Sequence, residues 1–268
     1  ICAKNAFHGR TFGGMSATPQ EKIQKGFRPL VPGFSFGEIN NLQSFVDLVD
    51  DQTAAIFVET IQGESGINPC TPEFLLGLRK LCDQHNLLLL LDEVQCGIGR
   101  TGRFFSYEYA GITPDAIGMA KGLGGGFPIG AMWVRDRYAD LFKPGNHGTT
   151  FGGNPLSMRA GVETLRIMEE DHIMANAAAV GAVLRGALED GLKGVKGFKE
   201  VRGAGLMLGI ELDRPCGVIL NRAAEAGLML SVTADSVIRL VPPLILSAGE
   251  ARQIAAILVP LIKSFLSE

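Results

Sequence analysis

Four short apolar runs in the first half of the chain each lead into or out of polar residues: AAIFVET (54–60), LLLLLDE (87–93), DAIGMAK (115–121) and IGAMWV (129–134). Runs of this length predict strands, and the five consecutive leucines predict a central one, buried on both faces as in a parallel sheet. Between the first two runs, TPEFLLGLRKLCDQHN offers Thr71 as an N-cap and Pro72 at the first helical position. Phe74, Leu75, Leu78, Leu81 and Cys82 follow at helical spacing. A strand, helix, strand crossover follows, which is the signature of an α/β fold. From about Asn154 to Asp171 a long helix is predicted. Beyond it helices alternate with short strands, GLMLGIEL (205–212), GLMLSV (227–232) and VIRLVPP (237–243), and the last helix opens on a capping box from Ser247 to Glu250. The pattern therefore predicts a large α/β domain over 1–164 and a smaller α+β domain over 165–268, with no repeat or low-complexity linker.

Composition narrows the function without naming it. The 268 residues are 46% hydrophobic and 20% charged, as expected of a globular chain with a sizeable core. A net charge of −3 with no long basic run leaves no electrostatic footprint for nucleic acid. No apolar stretch reaches the ~18 residues of a membrane span, and the opening ICAKNAFHGR lacks a signal-peptide layout, so a cytoplasmic location is expected. The five cysteines are scattered without a CxxC, and the four histidines lack ligand spacing, so neither disulfides nor a metal site is expected. The chain opens on Ile1 inside what reads as a strand, which suggests a fold beginning upstream.

Candidate chemistry gathers at strand ends. A carboxylate closing the most apolar run, Asp92, either caps a turn or faces a ligand, because open parallel sheets bind at the carboxyl ends of their strands. An apolar run ending in Asp-Glu also resembles the Walker B strand of ATPases. That chemistry requires a GxxxxGK[ST] loop, and no Gly-Lys pair occurs in the chain. Lys121 ends another apolar run 29 residues after Asp92, beside Ala120 and the spacious GLGGG. A lysine there is commonly a solvated terminus. An amine and a carboxylate a ligand's width apart also suit pyridoxal phosphate: the amine forms a Schiff base and the carboxylate keeps the pyridine nitrogen protonated, which makes the ring an electron sink. Leucines around Asp92 would strengthen that charge interaction by lowering the local dielectric.

The motifs NAFHGRT (5–11), VETIQGESG (58–66), LLDEVQCGIGRTG (90–102), PDAIGMAKGLGGGFPIGA (114–131), HGTTFGGNPL (147–156) and VIRLVPPL (237–244) together resemble those of class III, fold type I, pyridoxal-phosphate-dependent aminotransferases. The resemblance runs in order through the whole chain. It implies a large, mostly parallel α/β domain with a smaller C-terminal α+β domain. It also implies that roughly the first third of a family member, including a loop that contacts the cofactor phosphate, lies outside this sequence. Lys121 would be the catalytic lysine. Phe7 would stack on the cofactor ring, Asp92 would pair with its nitrogen, Val94 would pack on its other face and Gln95 would bond its hydroxyl, with His8 a further cofactor-binding residue. Thr150 would reach the phosphate of a neighbouring subunit in a homodimer with shared sites. Arg10 and Arg239 would bind substrate carboxylates, with Glu64 masking Arg239 and Glu59 supporting the network. A structural salt bridge is the plainer account of that last pair. Thr60 stands where the family usually has proline. The implied activity is transfer of a terminal amine, from N2-acetylornithine or from ornithine, succinyl-diaminopimelate or 4-aminobutyrate, to 2-oxoglutarate. A noncatalytic fragment is the alternative of another class.

Overall fold

The structure, a computed structural model, describes residues 1–268. In chain order the first elements are β1 (Cys2–Ala3), α1 (Phe12–Ser16), α2 (Glu21–Gln24), β2 (Phe36–Gly37), α3 (Leu42–Val46) and β3 (Ala55–Glu59). A hairpin of β4 (Ile61–Gln62) and β5 (Asn68–Pro69) precedes α4 (Pro72–His85), β6 (Leu88–Asp92), β7 (Ala116–Met119), β8 (Ala131–Val134) and α5 (Pro155–Glu170). The remainder is α6 (Ile173–Leu192), β9 (Phe198–Ala204), β10 (Met207–Leu212), α7 (Val218–Glu225), β11 (Ser231–Thr233), β12 (Val237–Leu240) and α8 (Ala248–Ser267).

Two compact units result. The first comprises 1–60, 70–98 and 105–168, and the second 61–69, 99–104 and 169–268. This partition differs from a single cut at 164/165 because two short excursions bond to the second unit's strands. Arg202 on β9 donates to the Gly66 and Ile67 carbonyls, while Arg100 donates to the carbonyls of Leu206 and Pro242. Burial of Arg100 pushes its pKa down to about 10. Such contacts are invisible to a pattern read along the chain.

The first unit holds a six-stranded sheet in the order β2-β1-β3-β6-β7-β8, parallel except for the β7–β8 pair. Parallel neighbours need a crossover, and α4 supplies it between β3 and β6. Thr71 caps that helix by accepting from the Phe74 N–H at 3.2 Å, Pro72 sits in its first turn, and Asn86 ends it in the left-handed conformation at φ 53°. Phe74, Leu75, Leu78, Leu81 and Cys82 pack on Ile56, Val58, Leu89 and Leu91 to form the core. The leucine strand is central, as its composition predicts, but its burial alternates. Leu89 and Leu91 are fully buried, whereas Leu88 and Leu90 are half-buried. Only one face of the sheet has α4 packed on it; along the other, Phe57 and Leu90 line an open groove with Ile1 and Phe34.

The second unit is a four-stranded antiparallel sheet ordered β11-β12-β10-β9, with α6 and α8 packed on each other and sharing its core. Leu184, Leu188 and Leu192 of α6 meet Leu208, Ile210 and Leu212 of β10, and Leu258 and Ile262 of α8, in one buried cluster. Ser247 and Glu250 form the expected capping box: the Ser247 hydroxyl accepts from the Glu250 N–H and the Glu250 carboxylate accepts from the Ser247 N–H. Strand β9 has no counterpart in the sequence reading, because FKEVRGA mixes charge and glycine and buries only Val201 fully.

Candidate active site

Parallel register delivers the site's carboxylate. Glu59 ends β3 directly opposite Asp92 at the end of β6, and Asp92 is opposite Gly118 of β7, three residues before Lys121. Asp92 and Lys121 thus leave the same edge of adjacent strands, the edge at which parallel sheets bind ligands. Asp92 is 8% exposed. Its Oδ2 lies 2.9 Å from Nδ1 of His8, and its Oδ1 accepts from the Val94 N–H at 3.0 Å. His8 is itself pinned: its ring stacks on Phe57 at 4.0 Å between centroids, and its backbone N–H donates to the Thr18 hydroxyl at 2.8 Å. The carboxylate is therefore held by His8 on one side and by the turn that follows the strand on the other.

Lys121 opens a one-turn 3-10 helix, Lys121–Gly124, immediately after β7 and is exposed. Its φ is 47°, a left-handed conformation that costs a non-glycine residue on the order of 1 kcal/mol or more and tends to persist at functional positions. The short helix retains it through the Leu123 N–H to Ala120 carbonyl bond at 3.1 Å. Phe7 is half-buried, with the Arg10 guanidinium 5.9 Å from its ring centroid. Glu59, buried at the end of β3, accepts from the Phe7 N–H at 3.0 Å and so ties the Phe7 loop to the strand ends. Val94 and Gln95 are half-buried in the turn after Asp92. Thr150 lies on the exposed segment 148–153 of the same unit.

Glu93, which the sequence reading left without a role, is fully buried. Its carboxylate accepts from the N–H groups of Ser106 at 2.9 Å and Tyr107 at 3.0 Å, and from the Thr60 hydroxyl at 3.3 Å. Burial, the dominant influence, pushes its pKa up to about 7 against those bonds. Thr60, at the usual proline position, is accommodated by polar partners: its hydroxyl also donates to Ser106 Oγ at 2.7 Å and touches Cys96 Sγ at 3.0 Å. Asp and Glu side by side in the sequence carry no mark of which one meets the Ser106 and Tyr107 N–H groups; the folded chain decides it.

Within the second unit, Arg239 Nη1 donates to Glu64 Oε1 at 2.7 Å and to the Gly63 carbonyl at 3.2 Å, and its Nε donates to the Ser231 hydroxyl at 3.0 Å. Its side chain is 16% exposed and that of Glu64 35%, so the pair is accessible from one side. Among the described residues, no group of histidines, cysteines and carboxylates could hold a metal ion.

The first unit's groups fit the ring end of pyridoxal phosphate. An accessible primary amine can hold its aldehyde carbon, and an oriented, nearly buried carboxylate can hold its protonated ring nitrogen. Comparison with known proteins agrees. Residues 1–262 match the family model for aminotransferase class-III. The chain is 49% identical over its whole length to acetylornithine aminotransferase 1 of Bordetella bronchiseptica, covering 69% of that protein, and 47% identical to the acetylornithine aminotransferase of Caldanaerobacter subterraneus, covering 96% of this chain and 66% of that one. Among solved structures, ornithine aminotransferase from Toxoplasma gondii superposes with a TM-score of 0.94 at 33% identity, covering 99% of this chain and 64% of that one. N-acetylornithine aminotransferase from Stenotrophomonas maltophilia superposes with 0.82 at 34%, covering 100% and 66%. The chain thus spans about two-thirds of the length of these relatives. With Lys121 and Asp92 at adjacent strand ends and a family match over nearly every residue, the chain belongs to the class III, fold type I aminotransferases, which are pyridoxal-phosphate-dependent transaminases.

Proposed function

We propose that the whole protein transfers the terminal amine of N2-acetyl-L-ornithine to 2-oxoglutarate, giving N-acetyl-L-glutamate 5-semialdehyde and L-glutamate, a step of arginine biosynthesis. The observation that carries this reading is the Glu64–Arg239 pair, a nearly buried guanidinium whose anionic partner is partly exposed. Bound pyridoxal phosphate supplies the electron sink that lets an amine be exchanged for a carbonyl. Asp92, oriented by His8 and Val94, keeps a positive charge on the cofactor's ring nitrogen. Lys121 Nζ would hold the cofactor's aldehyde carbon, and its amine would carry the proton to and from the substrate carbon. Phe7 and Val94 would confine the ring, Gln95 would bond its hydroxyl, and Arg10 would take the donor's α-carboxylate. Glu64 covers Arg239 while an ω-amine is bound and yields it to the α-carboxylate of glutamate.

The names of the sequence relatives support acetylornithine as donor. The ornithine aminotransferases among the structural neighbours keep ornithine as the second reading. Steady-state kcat/KM with acetylornithine, ornithine, succinyl-diaminopimelate and 4-aminobutyrate tests the donor: acetylornithine is expected to lead by about tenfold or more, and a lead by another amine overturns the assignment.

The assembly belongs to the same proposal. Phe127, Met132, Trp133, Phe142, Phe151 and Leu156, all in the first unit, are 40% exposed or more, an apolar surface that suits a second copy of the chain. Thr150 lies within that stretch, in keeping with a contact to the neighbour's cofactor phosphate. Small-molecule amine and keto-acid substrates are the other partners. No helix is long and apolar enough to cross a membrane, and a cytoplasmic location is part of this reading.

A further inference from the structure

Arg202 lies outside every motif that points to the chemistry, yet it shares a row of the second unit's sheet with Arg239. Register places Ser231 of β11, Arg239 of β12, Gly209 of β10 and Arg202 of β9 directly opposite one another in succession. Residues directly opposite in an antiparallel sheet project to the same face, so the two arginines flank a glycine. Gly209 leaves the space that Ile67 takes: a Cβ there would meet Ile67 Cβ at 3.0 Å. Ile67 is 0% exposed. The segment 63–67 therefore lies across three strands with an arginine at each end.

Arg239 grips the leading end through the Gly63 carbonyl and the Glu64 carboxylate. Arg202 grips the trailing end. Its Nε donates to the Gly66 carbonyl at 3.0 Å and the Ile67 carbonyl at 2.8 Å, and its Nη2 donates to the Gly66 carbonyl at 2.7 Å. Both residues are left-handed there, Gly66 at φ 113° and Ile67 at φ 55°, a conformation isoleucine adopts only when its surroundings impose it. The remaining Nη1 of Arg202 is committed to Glu200 and Glu211, and Glu211 also takes Lys199, so the guanidinium is balanced by carboxylates that have no part in Glu64's pairing.

We propose that Arg202 is a positioning residue for the Glu64–Arg239 pair: by anchoring the Gly66 and Ile67 carbonyls over Gly209, it sets how readily Glu64 gives up Arg239 to an incoming carboxylate. This rests on the reading of that pair as a carboxylate switch. Lengthening or loosening the anchor frees Glu64 to leave, so substrates whose α-carboxylate goes to Arg239 gain relative to the ω-amine donor.

The test is the ratio of single-turnover efficiencies, donor half-reaction over glutamate half-reaction, in the pyridoxal-phosphate-loaded protein. Glu64→Ala is expected to lower the ratio about tenfold. Arg202→Met should lower it about threefold or more, and Arg202→Lys, which keeps the charge but not the paired carbonyl bonds, should fall between Arg202→Met and the native protein. In the Glu64→Ala background, Arg202→Met should change the ratio less than about twofold, because its effect runs through Glu64. Amide hydrogen exchange over residues 62–68, measured without substrate, should speed up about tenfold in Arg202→Met. A ratio within about twofold of native in Arg202→Met, alongside a clear shift in Glu64→Ala, overturns the positioning role and leaves the switch standing. An Arg202 effect that persists without Glu64 also overturns it. No shift in Glu64→Ala sinks the switch itself and this proposal with it. If Arg202→Met fails to fold, Arg202→Lys and Gly209→Ala, whose added methyl lifts Ile67, serve in its place.

Discussion

Asp92 and Glu93 are neighbours in the chain with different partners. Asp92 meets His8 and the Val94 N–H near the strand ends, while Glu93 turns inward to Ser106, Tyr107 and Thr60. Burial raises the Glu93 pKa from 4.5 to about 7, so the folded protein binds this proton more tightly than the unfolded chain. This contribution is complete below about pH 4.5 and is lost as pH rises through about 7. Thermal melts between pH 5 and 8 should show native stability falling with pH relative to Glu93→Gln, which carries no titrating proton. Parallel profiles for the two proteins would show that Glu93 does not titrate in this range. Asp92→Ala should slow turnover by about two orders of magnitude or more, because the cofactor's ring nitrogen would lose its anionic partner. Near-native turnover in that variant would reduce Asp92 to a structural carboxylate. Asp92 was legible in the sequence because it ends a leucine run. Glu93 was not, since nothing in the pair Asp-Glu says which side chain faces the interior.

At the scale of elements, β6 shows how far a run of identical residues can mislead. Five leucines look equivalent, yet the strand's period of two puts Leu89 and Leu91 into the α4-packed core and leaves Leu88 and Leu90 half-covered. Leu91→Ala should cost about 2–5 kcal/mol, read as a lower denaturant midpoint with an unchanged slope, and Leu90→Ala distinctly less. Equal losses would mean that both faces of the strand are equally packed. The start of helix α4 was legible, since Thr71 and Pro72 act through their own backbone or its nearest neighbours, while its end at the left-handed Asn86 came from the structure. Strand β11 is shorter than GLMLSV suggested, covering Ser231–Thr233, because pairing to β12 begins only at the Ser231–Arg239 register. Strand β9 escaped altogether: it is a sheet edge, and edge strands need bury few residues.

At the scale of the whole chain, the first unit exposes large apolar side chains between Phe127 and Leu156, a surface open to a partner. If a second copy covers it, Trp133→Glu combined with Phe151→Glu should shift the protein from dimer to monomer in sedimentation velocity. Cofactor affinity should fall with it if Thr150 serves the partner's phosphate. A dimer that persists with native affinity would place the interface elsewhere. The division into two units belongs to this scale as well. The hairpin 61–69 leaves the first unit's chain path because Arg202 and Arg239 offer its carbonyls and Glu64 stronger partners than solvent does.

The sequence by itself determined the fold class, the strand–helix–strand crossover, the lysine and aspartate at strand ends and the family, because each depends on local periodicity, capping chemistry or residue types in fixed order. Tertiary structure alone decided which carboxylate of Asp92-Glu93 faces inward, that Glu59 serves the Phe7 backbone, and that Arg202 and Gly209 share a row with Arg239. The first two follow from how strand ends and loops pack together, and the third from the register between strands far apart in the chain. Register arises from packing and turn geometry acting together, and no single segment carries it.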